Sequence, residues 1–272
     1  GVRLVGSEMC IRDRPMLKSQ LQKCIRRQYK SRAIKTGFNL LFSDQHQFLR
    51  RLLIIMLEDV YLHESFILII WLMCAVPHWN LSIIQGKYLL GIIGYLCDCE
   101  KMDKVKTEYN KNKYIEIMNE KIFKVFGKEK DMLYSLHIRS INGGLKGDVK
   151  MCRYFVNKWY DRFASEKKTF LNNKIEYKNI EFDELSDKEI IYAGIDFHCF
   201  PFIIEKISDA FRNYTDYEIK MCIWYCSSGL NYRIDDYSYI EKKYLKMWKK
   251  IKGSLRNIQY WIINRYLLCD KN

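Results

Sequence analysis

The chain of 272 residues carries 46 Lys and Arg against 32 Asp and Glu, a net charge of +14, with 49% apolar and 15% aromatic residues. That composition excludes a disordered basic tail, and the length suffices for one large domain or two small ones. Three Pro and 13 Gly are too few for a turn-dense sandwich or barrel, so the expected fold class is all-α: an irregular multi-helix bundle in one or two subdomains, with no substantial sheet.

Ten Cys at irregular spacings in a long chain without a recognisable secretory signal read as reduced thiols. They point to an intracellular protein of the cytoplasm or nucleoid/nucleus, not a secreted one. Residues 1–14, GVRLVGSEMCIRDR, lack apolar periodicity and resemble translated sequencing-adapter read-through. Residues 1–15 are therefore expected to be a non-native or disordered segment, with Met16 the natural start or an upstream domain missing.

From Pro15 to Ser43 the chain has no acidic residue. Leu17, Leu21, Cys24 and Ile25 fall at helical spacing, as do Ala33, Ile34, Phe38 and Leu41 behind Ser31 as N-cap, so two short basic helices are predicted. Their cations Lys23, Arg26, Arg27, Lys30, Arg32 and Lys35 are the candidate nucleic-acid-binding residues, because such a stripe neutralises phosphates and releases counterions. A genomic bias towards Lys, Ile, Asn and Tyr would raise the charge equally well.

Asp44 with Gln47 has the form of a capping box and opens a core helix over Phe48 to Asp59. Buried helices are predicted over Glu64 to Val76 and Leu81 to Cys99, separated by Pro77. The uncharged run from Phe66 to Val76 falls well short of the roughly 18 to 20 residues a membrane span requires, so no membrane partner is expected. Residues 16–99 form a first predicted subdomain, 100–113 a charged linker and 114–272 a second subdomain.

In that second part helices are predicted over Tyr114 to Phe126, Asp131 to Ile141, Asp148 to Phe163, Asp187 to Ala193, Pro201 to Phe211, Asp216 to Ser227 and Tyr237 to Leu268. Ser186 with Glu189 and Thr215 with Glu218 fit capping boxes, and Pro201 suits a first helical turn. Residues 174–183 show the only strand-like alternation. The last helix interleaves lysines with Tyr244 and Trp248 in EKKYLKMWKKIKGSLR, a pattern suited to a nucleic-acid backbone, an anionic membrane surface, an acidic partner groove or plain solvation.

No cofactor is expected. NGGLKGD at 142–148 lacks the Gly-Lys-Ser/Thr of a Walker loop and reads as a turn with Asp148 as N-cap. Cys97/Cys99 and Cys222/Cys226 lack the partners of a zinc site. The best candidates for catalysis are Asp196 and His198, beside Cys199, with His137 or Arg139; they would serve a small nuclease or hydrolase, although a paired carboxylate cluster is missing.

LQKCIRR (21–27), AIKTGFNLL (33–41) and FLRRLLIIMLEDV (48–60) resemble the C-terminal helical region of the MgsA/RarA/WRNIP clamp-loader-like AAA+ ATPases. Lys23, Ile25 and Arg26 match the first element of that region, Arg50, Arg51 and Leu52 the second, and Glu58, Asp59 and Val60 the third. The match spans residues 17–60 and extends towards 99; Tyr61 stands where the family has Gly, and residues 114–272 match nothing. The resemblance implies a non-enzymatic module for DNA replication or repair assembly, with an ATPase partner or upstream ATPase domain. No ATPase motif lies in this chain. Self-association is expected through the Tyr244, Trp248, Ile251 and Leu255 face of the last helix. Arg50, Arg51, Glu58 and Asp59 read as structural polar residues at the two ends of a buried helix, paired to other segments.

Overall fold

The computed structural model of the chain describes residues 13–75, 80–103, 125, 127–165, 170–185, 196–234 and 240–262. The acid-free segment folds as helices α1 (Asp13–Arg26) and α2 (Lys30–Ser43). They part at Gln28, whose φ of 58° lies in the left-handed region. There the amide of Tyr29 donates to Cys24 O and that of Gln28 to Ile25 O, the paired bonds of a Schellman stop. Helix α2 begins one residue before Ser31, so Ser31 lies in its first turn rather than at its N-cap.

Asp44 Oδ1 accepts from the Gln47 amide at 3.0 Å and starts α3 (Gln45–Asp59). The apolar run from Leu52 to Leu57 is buried throughout. Helix α4 spans Ser65–Ala75. Ser82 and Gln85 form a complete capping box before α5 (Ile83–Asp98). Helices α6 (Lys128–Ile141) and α7 (Lys146–Ala164) follow.

A 3-10 turn (Phe197–Cys199) leads into α8 (Pro201–Ala210), with Pro201 in its first turn. Thr215 and Glu218 close their capping box on α9 (Asp216–Ile223), which widens into a π turn, Trp224–Ser228. The described chain ends with α10 (Lys242–Ile262). The protein is thus all-α: among the described residues there is no strand, only an isolated parallel bridge between His63 and Leu171. Residues 174–183 are irregular despite their alternation. Of the helix expected at 114–126 only Val125 is described, and the helix expected at 187–193 and the Ser186/Glu189 box lie outside the described residues.

The chain divides into two compact units, residues 1–43 with 182–272, and residues 44–181. This differs from the expected division at 100–113, and the reason is long-range pairing. Helices α1 and α2 pack on each other, and α1 is bonded to residues 196, 227 and 228, so the N-terminal helices join the C-terminal third.

The core of the first unit gathers Phe197, Ile203, Ile207, Ile219, Cys222, Tyr244, Ile251 and Leu255. In the second, α3 packs on α4 and α7, α6 packs on α4 and α7, and Phe66, Phe155 and Trp159 are fully enclosed. No described helix is long and apolar enough to cross a membrane. The described cysteines are free thiols.

Candidate functional site

The cations of α1 and α2 do not form one surface. Lys23 is 4% exposed, and its Nζ lies 2.8 Å from Asp196 Oδ1. Arg26, 6% exposed, donates to Ser228 O at 3.1 Å, and Arg27 donates to Ser227 O at 2.8 Å. Those carbonyls end the π turn; Ser227 O also accepts from the Leu230 amide at 3.3 Å, and the two guanidiniums add charged donors at this helix end. The arrangement is reciprocal: Arg233 Nη1 donates to Ile25 O, and the Tyr232 amide to Arg26 O, at the end of α1. Lys35 pairs with Asp183 at 2.7 Å. Lys30 and Arg32 alone of the six are exposed.

Asp196 and His198 stand together around the 3-10 turn, where each acts on the charge of the other. Burial raises the Asp196 carboxyl, and the charge and hydrogen bond of Lys23, with the Ser19 hydroxyl at 2.9 Å, outweigh it and hold the pKa below the ordinary value. His198 Nε2 lies 3.1 Å from Cys199 Sγ, and its ring packs on Trp224. Burial pushes the Cys199 thiol up, and Asp196 adds to this, so the sulfur is not activated as a thiolate. Burial lowers His198. His137 lies on α6 in the other unit, beside the charge of Arg153. Among the described residues no group of His, Cys, Asp and Glu could hold a metal ion.

In the second unit Arg50 Nη1 donates to Asn142 O at 3.0 Å, Asp59 is 3% exposed, and Arg51 acts electrostatically on Asp148. The two ends of α3 are therefore polar within a packed unit. Asp148 is not an N-cap: α7 begins two residues earlier, behind Leu145, which has no side-chain capping bond. The stretch resembling the clamp-loader-like region falls across both units, since α2 ends at Ser43 and α3 begins beyond it.

Exposed cations gather on α10. Tyr244, Met247, Ile251 and Leu255 are buried in the core of the first unit. At 100° per residue, Lys242, Lys246, Lys249 and Arg256 project from the opposite side, with Lys252 at its edge, all exposed and spread over about 21 Å of axis. The helix has no acidic residue.

Among the described residues, Glu218 and Glu241 form ion pairs with Lys243 of this helix, at 3.9 and 3.4 Å. Beside this face run two adjoining grooves. One of about 350 Å³ is lined by Asp209, Arg212, Tyr214 and Lys250 among others, and one of about 530 Å³ by Tyr214, Glu218, Lys246 and Lys249 among others, so each carries one carboxylate beside its cations. Lys250 sits 5.9 Å from the Tyr214 ring centroid.

The apolar face expected to drive self-association is the same Tyr244, Ile251 and Leu255 set, and it is covered from within, with Trp248 packed against that core.

Three structural contacts were not legible in the sequence. Arg233 caps α1, and Arg139, 1% exposed, holds the 142–145 loop. Asp103, 3% exposed, accepts two bonds from Arg162 and one from Lys158. None of these follows a local periodicity, and only the spacing of α10 announced its two faces in advance. Compared with known proteins, the chain matches no family model, no curated protein and no solved structure.

Proposed function

We propose that this chain is a non-enzymatic, all-α module that associates with nucleic acid through the cationic face of α10. The observation that carries the reading is the acid-free arc of Lys242, Lys246, Lys249, Lys252 and Arg256, opposite a fully packed apolar face. A helix anchored along one side holds these charges in a fixed array, so a phosphate backbone meets them without a large ordering cost. Tyr214, in the adjoining grooves, offers a ring for stacking. No base-reading motif accompanies the array, so binding is electrostatic and weakly sequence-specific.

A binding role is also favoured by the chemistry around Asp196, whose carboxylate is engaged by Lys23, next to a thiol that is not activated. A replication or repair assembly with an ATPase partner is the setting that the resemblance of residues 17–60 suggests for this module.

The test is a fluorescence anisotropy titration of labelled single- and double-stranded oligonucleotides from about 50 to about 200 mM salt. Lys246→Glu with Lys249→Glu is expected to weaken binding at least about tenfold and to flatten the slope of log K against log salt, by about 0.9 per lost contact on duplex. Absence of binding by the parent protein, or unchanged affinity and slope in a variant of parental helicity, overturns the reading.

A further inference from the structure

Helix α6 ends and α7 begins around the loop Asn142–Leu145, where Gly143 and Gly144 have φ of 75° and 119°. Positive φ at both positions favours glycine, and Gly144 has a second constraint. A Cβ there would stand 3.2 Å from Arg50 Nη2 and 3.5 Å from both terminal nitrogens of Arg139. Two guanidiniums thus converge on one backbone position. Arg139 is almost fully buried; its Nη1 donates to Gly143 O at 2.9 Å, its Nη2 lies 3.9 Å from Asp148 Oδ2, and its Nε has no partner among the described residues.

Arg51 contributes a third positive charge, and its buried Nε is likewise without a partner among the described residues. Asp148 and Glu58 are the carboxylates acting in this cluster. Three cations against two anions leave it positive, and the repulsion from Arg139, after burial, lowers the pKa of Arg50.

The loop delivers the chain into α7 with the first helical turn open. Leu145 provides no side-chain cap, so the amides of Lys146, Gly147 and Asp148 keep unsatisfied donors, and a Cβ on Gly147 would meet nothing within 4 Å. Free amides at the positive end of a 19-residue helix, flanked by arginines, make a receptor for a tetrahedral oxyanion.

The geometry points to a phosphate-binding site formed by Arg50, Arg51, the Gly143–Gly144 loop and the first turn of α7, with Arg139 holding the loop from beneath. The ligand is a phosphate group, either a free phosphate or nucleotide monoester or a phosphodiester of a nucleic acid. The site belongs to residues 44–181 and is independent of the α10 face.

The experiment titrates the full chain, labelled with nitrogen-15, with inorganic phosphate, a 5′-mononucleotide and an oligonucleotide lacking terminal phosphates, at constant ionic strength in chloride. Saturable shifts of the Gly144 and Gly147 amides are expected with at least one of the three. Arg50→Gln is expected to weaken binding about tenfold, the loss of one charge-assisted contact.

Gly147→Glu places a carboxylate in the open space at a helix N-terminus. Folding tolerates that change, while phosphate binding is expected to be abolished with Tm held or raised. Binding of the monoesters alone identifies a small-molecule site, and binding of the oligonucleotide at these amides identifies a backbone site. The Lys246→Glu/Lys249→Glu protein must retain these shifts, which separates this site from the α10 interface. No saturable shift at Gly144 and Gly147 with any of the three probes, or full binding by Gly147→Glu, overturns the proposal.

Discussion

Lys23 Nζ sits 2.8 Å from Asp196 Oδ1, and the two side chains are unequally enclosed, 5% and 40% exposed. Burial lowers the pKa of Lys23 more than Asp196 restores it, whereas the same contact brings Asp196 below its ordinary value. The pair joins the first helix to the C-terminal third, at the cost of a lysine held almost out of water. Removal of the two partners is therefore expected to be asymmetric. Asp196→Ala strands a buried ammonium and should cost about 3 kcal/mol, whereas Lys23→Met keeps the volume, removes the charge and should cost under about 1.5 kcal/mol. Urea unfolding decides it, and the reverse order would show that the contact is not what seats Lys23.

Acid should act through the same carboxylate. The folded pKa of Asp196 lies below the ordinary 3.8, so the folded state binds fewer protons than the unfolded chain between those two values. Its contribution is fully present above the ordinary value and disappears as pH falls through the folded one. Below about pH 4, the stability of the parent should fall more steeply than that of Asp196→Asn. Parallel acid-unfolding curves for the two proteins would refute this origin.

Ile251 is fully buried on the inner face of α10. Ile251→Asp should therefore cost about 4 kcal/mol and reduce helicity, since it buries an unpaired charge. A surface serving only self-association would behave differently: the variant would remain folded and sediment as a smaller species. Circular dichroism and sedimentation velocity on one sample separate the two behaviours.

Gly91 in α5 is pressed against the segment 175–177. A Cβ there would lie 2.8 Å from Glu176 O, 2.8 Å from Tyr177 Cβ and 2.9 Å from Ile175 Cγ2. Gly91→Ala should lose about 1 to 3 kcal/mol through overpacking, despite the better helix propensity of alanine. A variant as stable as the parent in thermal unfolding would mean that the segment does not rest on α5.

Local rules reached far along this chain because they act within a few residues. Asp44 and Gln47, Thr215 and Glu218, and Pro201 marked helix starts through hydrogen-bond and steric demands that their own neighbours satisfy. Spacings of three and four separated the packed Tyr244, Ile251 and Leu255 from the exposed lysines of α10. The same rules misplaced the start of α2, since Ser31 competes with a Schellman stop whose left-handed residue is Gln28 rather than glycine.

All-α character, the basic α10 face and most helix starts were thus determined by the sequence itself, because composition, periodicity and capping are local quantities. Whether a given cation meets water or a carbonyl was decided only by tertiary structure. Lys23, Arg26 and Arg27 share the acid-free segment with Lys30 and Arg32, yet they end on Asp196, Ser228 and Ser227. A helix end far along the chain presents carbonyls with lone pairs still open, and the guanidiniums that reach them are near in space and not in sequence.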